Sequence, residues 1–162
     1  YEIRQSIVGS EMCIRDRPQW NDRAQIKSIF SGECKIIIIN HYYYGKLTYS
    51  ENDDHKKWAS AVKIIFPNQS KNDRGAHINI SGGGVAKHSK RKNEAIKFLE
   101  FLVSEEAQKL YANVNYEYPI NDKFERPIKL KKLGNFKEDK LYIEDIAKLA
   151  PKAQEIIDTV YW

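Results

Sequence analysis

Four consecutive isoleucines, Ile36–Ile39, run into Asn40, His41 and three successive tyrosines, Tyr42, Tyr43 and Tyr44, before Gly45. A short run of β-branched residues reads as a strand buried on both faces, with Asn40 opening the loop that leaves it. Neighbours in an extended chain point to opposite sides, so two adjacent tyrosines converge on one point only where the strand breaks into a turn. Gly45 supplies such a turn. Phenolate oxygens are hard anionic ligands that suit a small, highly charged cation such as ferric iron. A cation of that charge strips the phenolic proton, although free tyrosine holds it to a pKa of about 10. The simpler alternative is a packed, half-buried aromatic patch with wet hydroxyls, and the triplet alone favours it.

The 162 residues suffice for one domain with a real core, and the composition is that of an ordinary globular protein. No apolar stretch approaches the roughly 20 residues that span a bilayer. The net charge of +5 comes with lysines spread along the chain, densest at Lys87–Lys92 and Lys129–Lys132. Neither patch has the interleaved aromatics of a single-strand binder, and no zinc-finger spacing is present. Both read as solvated surface, and no nucleic-acid partner is expected.

Residues 1–17 read differently from the rest. Over Gly9–Arg17 they resemble the translated sequencing-adapter read-through that recurs at the ends of open reading frames, and they are set aside from the fold. Their charges cancel, Glu2, Glu11 and Asp16 against Arg4, Arg15 and Arg17. On that reading Cys13 carries no meaning and Cys34 is a lone, small buried hydrophobe. The natural protein is then expected to begin further upstream, so the lack of a signal segment says nothing of location.

Beyond the artefact, helical and extended segments alternate, as in an α/β fold. Asp22–Ser31 has helical spacing with Asp22 as its cap and Gly32 as its stop. The strand Lys35–Ile39 follows, then a second apolar run within Ala59–Phe66, closed by Pro67. A polar loop, Asn68–Arg74, has the character of a crossover between lobes. His77–Ser81 alternates as a half-buried strand does, and Gly82-Gly83-Gly84 reads as a tight, close-packed turn rather than a phosphate cradle. Arg91–Val103 is the most regular helix; Ser104 caps the next, Glu105–Asn113. After a loop at Tyr116–Asn121, two short helices close the chain, Leu141–Leu149 and one opened by Pro151.

No Ser-His-Asp arrangement, nucleophile elbow, paired histidines or cofactor loop is present, so an enzyme is not expected. His41 adjoins the tyrosines but should point away from Tyr42 and Tyr43. His77 and His88 read as structural or exposed, and His55, in the charged stretch Glu51–Lys57, as solvated.

The segments Asn21–Lys27, Gly32–Ile36, Asn40–Gly45, His77–Lys87 and Asn93–Ala112 together resemble the periplasmic ferric-iron-binding proteins of bacterial ABC transporters. The last segment is widespread among substrate-binding proteins; the tyrosines are what point to iron. The resemblance runs from about residue 18 to the end, roughly the C-terminal half of such a protein. It implies an incomplete type II periplasmic-binding-protein-like fold, a C-terminal lobe plus a returning piece of the N-terminal lobe. Residues 18–72 and 124–162 correspond to the former and 73–123 to the latter. It further implies that Tyr42 and Tyr43 ligate Fe(III), that Tyr44 and His41 are neighbours, and that Asn40 contacts a synergistic anion. A second anion contact falls at Asp22, whose charge would repel an anion, so Asn21 takes that role or no anion is used. The implied partner is an ABC permease in the inner membrane, with the complete protein a periplasmic monomer. The alternatives are the same fold holding a polyamine, thiamine or an anion, and more remotely an enzyme domain.

Overall fold

A computed structural model describes residues 21–160; the segment 1–17 and the terminal Trp162 lie outside the described residues. The chain divides into two compact units, Phe66–Asp139 and the sequence flanking it, up to Ile65 and from Lys140 onward.

In the flanking unit, Asp22–Phe30 forms helix α1. Its cap is Asn21, not Asp22: the Asn21 side-chain oxygen accepts from the backbone N–H of Arg23 and Ala24 at 3.1 and 3.0 Å. Asp22 is the first helical residue, where its charge suits the positive end of the helix. Gly32, at φ +79°, ends the helix as expected. Cys34 is buried but not a lone hydrophobe, since it takes part in a disulfide.

Residues 35–39 are extended, yet only one face of the run is covered. Ile37 and Ile39 pack on the core, while Ile36 and Ile38 are 51 % and 68 % exposed. Alternation sends successive side chains to opposite sides, and helices lie on only one of them.

Two helices follow that the sequence did not announce, α2 at His41–Thr48 and α3 at Asp53–Ser60. The tyrosines therefore stand in the first turn of a helix rather than in a glycine turn. Gly45 is buried mid-helix. Ile26, Leu47 and Ala59 of α1, α2 and α3 form the core, with Tyr44, Trp58 and Val62 packed against it. Asn52 caps α3 by accepting from the N–H groups of Asp54 and His55. His55 is not simply solvated: its Nδ1 lies 2.9 Å from the Ser50 hydroxyl and its ring leans on Trp58. The C-terminal helix α7, numbered in chain order, is continuous over Ile143–Val160 with Pro151 inside it. Two helices were expected there, parted at Pro151, but the α-helix runs through the proline in spite of the lost N–H.

The second unit carries α4 (Lys92–Leu102) and α5 (Glu105–Leu110). Ser104 caps α5 as expected, accepting from the Ala107 N–H. The helix winds on through a π-turn, Tyr111–Asn115, instead of continuing as α-helix to Asn113. The Asn113 amide donates to the Lys109 carbonyl, so a side chain competes for the helix ladder there. Tyr116 then takes a left-handed conformation, φ +60°. Helix α6 spans Ile128–Lys131.

The two ends of this unit are tied together. Ala76 and Glu138 form a parallel bridge, with the Ala76 N–H donating to Lys137 O and the Asp139 N–H to Ala76 O, both at 2.8 Å. The Gln69 amide donates to Lys137 O and accepts from Lys137 N, Arg74 pairs with Asp139, and Phe66 stacks on Phe136. No longer strand ladder exists among the described residues, so the α/β expectation is met by its helices and by extended segments rather than by a sheet. The triglycine lies outside any regular element and is exposed, and of its three residues Gly83 alone is close-packed, against Leu99.

Candidate functional site

The chain between α1 and α2 turns at Asn40, which is extended and precedes the first turn of α2 without capping it. His41, Tyr42 and Tyr43 occupy that turn. Adjacent helical residues diverge by about 100° about the axis, so neighbours on a first turn share one end of the helix without stacking along one face. The Tyr42 and Tyr43 rings nevertheless lie 4.4 Å apart at 34°. Both are half-buried, and the Tyr43 hydroxyl makes no hydrogen bond among the described residues.

Two features place positive charge at this end of α2. The unsatisfied N–H groups of a helix start carry partial positive charge that stabilises an anion. Lys46, one turn on, places its ammonium 5.4 Å from the centre of the Tyr42 ring. Lys46 was missed in the sequence; its i+4 spacing from Tyr42 becomes a signal only once the segment is known to be helical. His41 does not point away: its ring meets Tyr42 edge-on at 6.2 Å, because helical rather than extended geometry sets their directions. Tyr44 faces the core, where it packs against the Ile26–Leu47–Ala59 cluster.

The Asn40 side-chain amide donates to Asp22 Oδ2 at 3.0 Å. That bond joins the start of α1 to the start of α2 and occupies part of the donor capacity expected for an anion. Asn21, with its oxygen spent on the cap, keeps its NH2 group as a donor. Asn21, Asp22 and Asn40 thus form one polar cluster at the two helix starts, with Asp22 holding Asn40 in place.

Phenol oxygens become hard anionic donors on losing the proton, and two of them would fill only part of a hard cation's coordination shell. Among the described residues no three of His, Cys, Asp and Glu come together to hold a metal on their own.

A family model described as bacterial extracellular solute-binding protein matches residues 13–138. The chain is 39 % identical over 145 residues to iron uptake protein A1 of Synechocystis sp., covering 90 % of this chain and 40 % of that protein. A ferric binding protein from Campylobacter jejuni superposes with a TM-score of 0.82 at 41 % identity, over 88 % of this chain and 45 % of its own. A Trichodesmium protein solved in complex with iron and citrate ligands gives a TM-score of 0.81 at 43 % identity, over 90 % of this chain and 45 % of its own. The chain therefore spans less than half the length of each of these three proteins.

Proposed function

We propose, from the premise that this chain belongs to the bacterial extracellular solute-binding proteins, that it is part of a ferric-iron carrier that delivers Fe(III) to an ABC permease. The observation that carries this is the Tyr42–Tyr43 pair, two rings 4.4 Å apart at the positive end of α2. The similarity to proteins named for iron uptake and ferric binding supports it.

In this reading Tyr42 and Tyr43 are the metal ligands, Tyr44 is a core residue beside them, and His41 and Lys46 adjoin the ring of Tyr42. Asn21 and Asn40 offer amide donors to an anion that completes the iron shell. Citrate accompanies iron in the Trichodesmium structure, which makes a carboxylate the class of anion to try first. Residues 18–72 and 124–162 belong to a C-terminal lobe and 73–123 to a returning part of an N-terminal lobe. The span 73–123 falls wholly inside the compact unit Phe66–Asp139. The carrier is periplasmic, binds rather than transforms its cargo, and is monomeric when complete.

The test is colour. Tyrosinate bound to ferric iron gives a visible charge-transfer band, which a polyamine, thiamine or a simple anion does not. Titration with ferric citrate should raise that band in the native chain. Tyr42→Phe and Tyr43→Phe should each weaken binding by more than the roughly 10–100-fold that loss of an outer-shell partner costs. No band, or an unchanged band in both variants, sinks the assignment.

A further inference from the structure

From Gly75 to Asn93 the sequence contains no acidic residue, yet Lys87, Lys90, Arg91 and Lys92 bring four cations into six positions, with His88 among them. All five side chains are exposed. None takes part in an ion pair among the described residues, whereas Lys56, Lys57, Lys109, Lys131, Lys148 and Lys152 each pair with a nearby carboxylate. The segment turns tightly, the Ser89 N–H donating to Ala86 O, and then enters α4. Arg91, at the cap position, makes no side-chain capping bond. Cations are thus concentrated where the helix already presents partial positive charge, and they repel both it and one another. Glu94, in the first turn of α4, pairs with none of them among the described residues.

We propose that Lys87–Lys92 is a docking surface for an anionic lipid bilayer. Four clustered Lys/Arg residues are the number at which attraction to anionic headgroups becomes substantial. Three of the four are lysines, strongly hydrated point charges on flexible stems, which suit a mobile lattice of headgroups. A stereospecific acidic protein site would be served better by arginine forks. Nucleic acid is disfavoured because no aromatic side chain is interleaved for base stacking. The proposed carrier function enters only in placing a membrane within reach; there the surface would hold loaded protein near its permease.

The experiment is co-sedimentation of the chain with vesicles of phosphatidylcholine, with and without phosphatidylglycerol, at low and high salt. Binding is expected only with phosphatidylglycerol and should be released by salt. Replacing Lys87, Lys90, Arg91 and Lys92 together by Gln should weaken it roughly tenfold or more. The same charge change made at Lys123, Lys129, Lys131 and Lys132 should leave most of the binding intact. Lys87→Arg, Lys90→Arg and Lys92→Arg together should retain it, separating charge from folding damage. Binding to phosphatidylcholine alone, insensitivity to salt, or equal loss in both Gln variants would overturn the proposal. So would failure to bind vesicles by a chain that instead binds polyglutamate. The iron band is read independently, so failure of either proposal leaves the other standing.

Discussion

At the scale of single residues, the helix starts hold the groups on which the proposed chemistry depends. Asn21 satisfies two N–H groups of α1 that would otherwise lack partners. Asn21→Ala should therefore cost about 1 kcal/mol, read as a lower urea midpoint with an unchanged slope. Asp22 has a different part. Its carboxylate accepts from Asn40 and sets negative charge beside the two proposed anion donors. Asp22→Asn keeps an acceptor for Asn40 and removes the charge. If Asn21 and Asn40 hold an anion, this variant should reach half-maximal iron colour at a lower citrate concentration. An unchanged citrate dependence would move the anion away from these residues. Tyr44→Phe, by contrast, should leave the band unaltered, because that ring faces the core.

At the scale of elements, the sequence was most legible where one signal sufficed. The end of α1 followed from its terminal glycine and the start of α5 from its serine cap, whereas the cap of α1 was misplaced by one residue; the apolar spacing of α4 placed that helix to within a residue. Helix α2 was hidden because Tyr-Tyr-Tyr-Gly has poor helix propensity and Gly45 imitates a turn. Burial of Leu47 and Tyr44 against α1 and α3 overrides that propensity. Tyr42 and Tyr43 stood out in the sequence as candidate ligands, but their helical setting, and hence Lys46, did not. The tie between Gln69, Ala76 and Lys137 was equally invisible, since nothing local links positions so far apart in sequence. Gly75 is its most exacting point: φ is +100°, and an added Cβ would lie 2.5 Å from the Glu138 carbonyl carbon. Gly75→Ala must shift backbone, and should destabilise this unit by more than the ~1 kcal/mol typical of a point change. Tyr118 in the same unit donates to Gly134 O, and burial raises its phenol pKa above the ordinary value, against a smaller opposing effect of Arg126. A raised folded pKa stabilises fully below the unfolded value and is lost as pH rises through the folded one. Stability should therefore fall above about pH 10, and Tyr118→Phe should flatten that fall while costing about 1 kcal/mol at neutral pH.

At the scale of the whole molecule, the exposed apolar side chains carry the argument. Ile65 is 82 % exposed and Phe98 59 %, and Ile96, Phe101 and Val103 are open along and just beyond α4, which has no buried residue at all. Isolated exposed hydrophobics are ordinary, but a helix with an apolar stripe and no buried residue is a face built for a partner. Residues 77–81 likewise join no strand ladder among the described residues. Both observations fit a chain that spans less than half the length of the proteins it matches. Removing apolar surface from water contributes roughly 25 cal/mol per Å², so faces left open withhold stability that a domain of ordinary margin cannot spare. The isolated chain should accordingly bind a hydrophobic dye such as ANS and self-associate as concentration rises. Both behaviours should vanish in a longer polypeptide that supplies the rest of the proposed two-lobed fold, and the iron band should sharpen at the same time. A chain that unfolds cooperatively as a monomer and takes up no dye would show that these faces need no cover, and the view that it is one part of a larger trap would fall with them.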